Sequence, residues 1–208
     1  MLVVGIYGCT CAGKSTLCEA LVESESARTV ELDAFRWSEE EYPRRLPPLD
    51  LTTLDWPSGQ PPAEIRKSYD TNVPEWVDWE AAERAVGNAI TAARRDGVKY
   101  LFVEGFLITT QPRIMAILDH LIYLHVSPEA SQVLLMRKWT RSHFNKTSYQ
   151  DKGVSLADFT CFWEGYVFAR YQQHIPKTFP ENTITIDCML PTNDAVAAIR
   201  AQLPRASD

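Results

Sequence analysis

Apolar positions along the chain change period several times. Residues 2–7 form an unbroken apolar run, LVVGIY, and short apolar or β-branched runs recur at 28–32, 99–104, 120–126 and 183–187. Each is bounded by polar or turn residues, which reads as a strand. Between these runs the pattern turns helical. Residues 14–23 follow the first run, and 78–96 carries Ala81, Ala85, Ala89 and Ala92 with charges between them. The second of these stops at Gly97, a residue suited to the end of a helix. Further helices are expected over 128–142, 156–174 and 193–202. Strands alternating with helices predict an α/β fold, a parallel sheet covered on both faces. The pattern is that of one domain over residues 1–208.

One segment breaks the alternation. Residues 36–77 hold seven of the thirteen prolines and three of the six tryptophans. So long a connection inside a compact domain is functional or disordered. Trp37, Trp56, Trp76, Tyr42 and Tyr69 argue against disorder.

Bulk numbers narrow the class. A chain of 208 residues can bury one sizeable core. With 45% hydrophobic and 23% charged residues it has the composition of a soluble globular domain. The net charge of −6 excludes a general nucleic-acid coat. No apolar run approaches the roughly 20 residues needed to span a bilayer, so no membrane partner is expected. The first seven residues are too short, and lack the charged start, for a signal peptide. Five cysteines, Cys9, Cys11, Cys18, Cys161 and Cys188, show no metal-binding spacing. They read as free thiols of a reducing compartment, which suggests the cytoplasm.

The first apolar run leads into GCTCAGKST, residues 8–16. Gly8, four residues, Gly13, Lys14 and Ser15 match the phosphate-binding loop. Backbone N–H groups must converge on phosphate oxygens there, so side chains must be absent where the backbone approaches closest. The helix that follows adds its positive end. The pattern places phosphates against Gly8, Cys9, Thr10, Cys11, Ala12, Gly13 and Thr16, with Lys14 at the β- and γ-phosphates and Ser15 on Mg²⁺. A guanine-nucleotide switch would need Asn-Lys-x-Asp after a strand. The only Asn-Lys runs Asn145-Lys146-Thr147-Ser148 and lacks the Asp.

Three further stretches point to a small-molecule kinase. VELDAFRW puts Asp33 directly after the second strand, at the carboxyl edge where ligands bind in such sheets. It could orient or deprotonate a hydroxyl, or simply cap a turn. YLFVEGF ends a buried strand in Glu104, a charge that needs a partner such as Mg²⁺ through water. LLMRKWTRSHFNK groups Arg137, Lys138, Arg141 and Lys146 in an acidic chain. Arg137 and Arg141 share a helix face, as a phosphate clamp or as a solvated basic surface.

Together these stretches resemble the uridine kinase-like P-loop kinases, and the nicotinamide riboside kinases in particular, in order over nearly the whole chain. GIYGCTCAGKSTL is similar to the family opening, LDAFRW to its Asp-Asp-Phe segment, and VPEWVDWEAA to its Pro-Glu-Ala-x-Asp stretch. VEGFLI is similar to its acid-Gly-Phe segment and RKWTR to its Arg-Arg-x-x-Arg lid helix. The resemblance implies a P-loop NTPase fold with a five-stranded sheet in the order 2-3-1-4-5, a nucleoside-binding insertion over 36–77 and a helical lid around 137–160. It implies ATP, Mg²⁺ and a small nucleoside as partners. The implied reaction is 5′-phosphorylation of a riboside, nicotinamide riboside to nicotinamide mononucleotide in NAD salvage. A uridine or cytidine kinase is the alternative enzyme. A nucleotide-binding regulatory module without turnover is the alternative from another class. By the same resemblance Asp33 is the general base, Lys14, Arg137 and Arg141 handle the triphosphate, and Ser15 and Glu104 serve the metal. The positions that hold the ribose diol in the family are Asn72 and Lys138 here, with Asp70 as a second candidate. Tyr69, Trp76, Tyr149 or Phe159 would stack on the base.

Overall fold

The burial of each strand follows from how continuous its apolar run is. In a computed structural model, described for residues 1–65, 69–141 and 147–204, five strands form one parallel sheet in the order β2-β3-β1-β4-β5. In chain order the elements are β1 (Leu2–Gly8), α1 (Lys14–Ser24), β2 (Ala27–Glu31), a 3₁₀ turn (Leu32–Phe35), α2 (Tyr42–Arg45), α3 (Trp79–Arg95), β3 (Tyr100–Glu104), α4 (Pro112–Met115), β4 (His120–His125), α5 (Pro128–Thr140), α6 (Leu156–Phe162), a π-helical segment (Trp163–Phe168), α7 (Ala169–His174), β5 (Thr183–Asp187) and α8 (Thr192–Gln202). The order is the one the family resemblance implies. Central β1, β3 and β4 are apolar almost throughout, because both their faces are covered. Edge strands β2 and β5 carry exposed polar residues, Arg28, Thr29 and Glu31 in one and Thr185 and Asp187 in the other. Charged and polar edges discourage pairing with another chain.

The chain divides into two compact units. The first, Met1–Arg36, Val77–Ser127 and Pro176–Asp208, contains the whole sheet. Its core includes Val4, Ile6, Leu101, Phe102, Val103 and Ile122, all fully buried. Helix α3 begins where expected, because the Asp78 carboxylate accepts the Ala81 amide at 3.0 Å. It ends at Gly97, whose φ of 66° is left-handed. Its buried face differs from the alanine stripe of the sequence. Ala82, Val86 and Ala93 are buried, while Ala81, Ala85, Ala89 and Ala92 flank them. Small residues lie on both stripes, so period alone did not separate them, and Val86 marks the face that packs. The first excursion from this unit, residues 37–76, leaves and returns side by side. Arg36 and Val77 form an isolated antiparallel bridge, and the Asp78 amide donates to the Phe35 carbonyl at 2.8 Å.

The second unit is Trp37–Trp76 with Pro128–Ile175. Aromatic rings fill it. Phe162 stacks on Tyr166 at 5.3 Å and Tyr149 meets Phe159 at 4.8 Å. The buried Trp163 indole donates to Ser131 Oγ at 3.1 Å. The helix expected over 156–174 is there but changes register, since Trp163–Phe168 is π-helical. Its Gly165 lies against Leu54, where an added Cβ would stand 2.6 Å from Leu54 Cδ2. Residue 142 of the expected helix 128–142, residues 142–146 of the expected lid, and residues 66–68 of the insertion lie outside the described residues. Among the described residues no helix is long and apolar enough to cross a membrane.

Gly8 closes β1 against β4. A Cβ there would stand 2.9 Å from Leu124 Cβ and 3.3 Å from the Leu124 carbonyl oxygen, neither of which can swing away. Gly8→Ala is therefore expected to cost about 1–3 kcal/mol of stability through overpacking, read as a lower urea midpoint.

Candidate active site

Strand β1 delivers the chain into the glycine loop at the carboxyl edge of the sheet. Two residues there are left-handed, Cys11 at φ 63° and Gly13 at φ 94°. The Ala12 amide turns back to the Cys9 carbonyl at 3.2 Å, and the Leu17 amide takes the Gly13 carbonyl at 2.9 Å to start α1. Lys14 is buried, and its Nζ donates to the Cys9 carbonyl at 3.2 Å. Ser15 and Thr16 are exposed on the first turn of α1. Burial pushes the Cys9 thiol up to about 12, with Lys14 pulling it back. Burial likewise raises Cys18. Both side chains therefore stay as thiols at neutral pH and act as packing groups.

Two carboxylates face this lysine. Asp33 sits on the 3₁₀ turn that follows β2. Burial raises its pKa above the usual carboxylate range. The Lys14 charge pulls it back, Glu31 pushes it up, and a hydrogen bond from the Phe106 amide lowers it. Glu104 ends β3 and is 5% exposed. Burial raises it as well, opposed by Lys14 and by a hydrogen bond with the Ser15 hydroxyl, and reinforced by Glu31 and Asp33. Its Oε2 is buried and has no hydrogen-bond partner. A buried, unpaired carboxylate oxygen is costly and calls for a cation or a water. Beside the Ser15 hydroxyl it suits a hard, oxygen-loving divalent ion that keeps most of its water, as Mg²⁺ does.

One participant escaped the sequence reading. Glu31 stands opposite Glu104 in the β2–β3 register and adds a third negative charge beside Asp33 and Glu104. Its place at the tip of a strand, two residues before Asp33, was the available signal.

The sheet topology and this loop decide the architecture. The fold is that of the P-loop kinases. A sugar kinase from Janibacter sp. HTCC2649 matches with a TM-score of 0.56 at 14% identity, over 97% of this chain and 94% of that one. A gluconokinase from Sinorhizobium meliloti 1021 matches with a TM-score of 0.50 at 16% identity, over 96% and 90%. No family model and no curated protein matches the chain.

The remaining candidates belong to the second unit. Arg137 and Lys138 lie in the last turn of α5, and Arg141 follows the helix, its amide bonded to the Arg137 carbonyl at 3.0 Å. Asp70 is buried, whereas Asn72 is half-buried. The Asp70 Oδ1 accepts the Tyr166 hydroxyl at 2.7 Å and the Asn72 amide at 2.9 Å. Its Oδ2 pairs with the Arg170 guanidinium at 2.9 Å. Tyr69 meets Tyr42 edge-on at 6.4 Å, and the Trp76 indole donates to the Tyr42 hydroxyl at 3.3 Å. The expected base-stacking residues Tyr149 and Phe159 are packed together in the aromatic cluster described above, and Phe159 is fully buried.

Proposed function

We propose that this chain transfers the γ-phosphoryl group of ATP to the 5′-hydroxyl of a riboside, with nicotinamide riboside as the first acceptor. One observation carries the reading: a buried lysine at the phosphate loop faces the half-buried Asp33, just past the end of β2, and the buried Glu104 at the end of the adjacent β3. In a kinase the raised pKa would make Asp33 a better acceptor for the hydroxyl proton. Lys14 and the loop amides hold the triphosphate while charge redistributes along it. Arg137 and Arg141 are assigned to the triphosphate as well, as the family resemblance implies. Ser15 and Glu104 would hold Mg²⁺, which supplies charge neutralisation of the phosphates. Asn72 and Lys138 hold the ribose diol.

Composition bears on the acceptor. Residues 37–76 carry eight acidic side chains against four basic ones. That balance favours a neutral or cationic acceptor over an anion such as gluconate. The deciding experiment measures ADP release with nicotinamide riboside, uridine, cytidine, gluconate and free sugars. Turnover with a riboside supports the reading, and preference for gluconate or a free sugar replaces it. Tight ATP binding with no turnover on any acceptor returns the regulatory module.

Glu104→Gln separates a metal role from a structural one. The expected result is a higher Mg²⁺ concentration for half-maximal rate with little change in acceptor KM. An unchanged Mg²⁺ titration would make Glu104 a structural residue.

A further inference from the structure

Two acidic side chains stand side by side at the carboxyl edge of the sheet. Glu31 ends β2, Glu104 ends β3, and the two are Cα partners in the parallel register. Paired residues of neighbouring strands share a face, and such strands run about 4.8 Å apart. The pairing is held close. Leu32, next after Glu31, is buried against Gly105, where an added Cβ would stand 3.0 Å from Leu32 Cβ. Like charges set directly opposite each other destabilise a sheet.

Nothing in the chain offsets this pair. Glu104 is buried, its Oε2 has no hydrogen-bond partner, and Glu31 beside it is exposed. Among the described residues neither forms a salt bridge. The Lys14 ammonium donates to the Cys9 carbonyl instead. A small divalent cation is the complement of two adjacent carboxylates. Among the described residues no three acidic, thiol or imidazole side chains are grouped to cage a metal by themselves. The ion therefore brings most of its own ligands. Mg²⁺ does so when it binds with a nucleotide, taking one or two carboxylates, phosphate oxygens and retained water. Ionised Glu31, exposed on the same face, can only accept hydrogen bonds, and that retained water is the donor it suits.

We propose that Glu31 is a positioning residue for the divalent cation that arrives with the nucleotide, its carboxylate accepting hydrogen bonds from the water on that ion. The inference rests on the metal role given to Glu104 above. The stretch Glu31-Leu32-Asp33 then divides its work. Glu31 serves the ion, Leu32 anchors the strand end, and Asp33 is left for the acceptor hydroxyl.

The test reads metal binding, not turnover. Mn²⁺ is the probe, its free fraction followed by electron paramagnetic resonance. Protein is kept in excess over an ATP analogue with methylene in place of the β,γ-bridging oxygen. Glu31→Gln is expected to weaken Mn²⁺ binding to this complex by roughly 10- to 100-fold, the usual cost of losing a partner behind the metal ligands. Glu19→Gln, which removes the same charge from an exposed position on α1, should leave that binding nearly unchanged. Equal weakening in both variants would reduce Glu31 to a general charge effect and overturn the proposal. Glu104→Gln separates the inference from the reading beneath it. If Glu104→Gln weakens Mn²⁺ binding and Glu31→Gln does not, the metal reading stands and the role of Glu31 fails. If neither does, the metal reading fails and this inference fails with it. Without metal, Glu31→Gln should melt no lower than wild type, because one of two like charges is gone. A lower melting point with Mn²⁺ binding unchanged would make Glu31 a structural residue.

Discussion

Asp33→Asn is expected to lower kcat and kcat/KM together, by about 10²–10⁴-fold, the span usual for removal of a general base. The amide keeps the shape of the carboxylate and can still meet the Phe106 amide, but it cannot take a proton. The same substitution should raise the thermal unfolding midpoint at neutral pH. Burial lifts the folded pKa of Asp33 above its unfolded value. A group shifted in that direction is most favourable to folding below its unfolded pKa, and that contribution is lost as pH rises through the folded pKa. The ionised carboxylate therefore costs stability at neutral pH, and Asn removes the cost. In the wild type the same upward shift places the acid limb of the rate profile above the range of an ordinary aspartate. Loss of rate with a gain in stability is the joint signature of a strained functional carboxylate. A rise in acceptor KM with kcat unchanged would make Asp33 a binding residue, and the base would lie elsewhere.

Lys14→Met is expected to reduce kcat by about 10²–10³-fold or more, the scale of removing a preorganised electrostatic contact to the transition state. Methionine keeps an unbranched stem in the buried site, so the fold should survive. The charge also balances Asp33 and Glu104, both of which Lys14 pulls down. Without it both carboxyls should titrate at higher pH. The residual activity should then show its acid limb displaced upward, and stability should fall more steeply than wild type as pH rises from acid to neutral. Kinetics across pH together with thermal unfolding read both effects. Near-normal turnover in the folded variant would end the kinase reading.

What the sequence made legible was local. Five apolar runs became five strands within a residue or two, and the glycine loop lies between β1 and α1 as its spacing demands. Asp78 and Gly97 marked the ends of α3 because capping is chemistry between near neighbours. The parallel sheet followed from alternation, but its order came from family resemblance, since pairing between distant strands leaves no mark on period. Which face of α3 is buried was not legible, because its alanines occupy two adjacent stripes. The change of register at Trp163 was not legible at all. The segment's neighbours Ser131, Leu54 and Asp70 lie between 32 and about 110 positions away in sequence. Asp70 illustrates the same limit. The family resemblance made it a second candidate for the ribose diol, and its partners Tyr166 and Arg170 come from another part of the chain.

The closed neck at Arg36 and Val77 bears on how such a protein could change over evolutionary time. The forty residues between them begin and end beside each other, so their length is almost invisible to the sheet, and lengthening a flexible loop costs only slowly rising closure entropy. The glycine loop, Asp33 and Glu104 all lie outside that span. On the proposed reading, the phosphate loop and both carboxylates lie outside a stretch that could be exchanged without disturbing them. If that stretch reads the acceptor, as proposed, grafting a different loop between Arg36 and Val77 would give the same frame a new one.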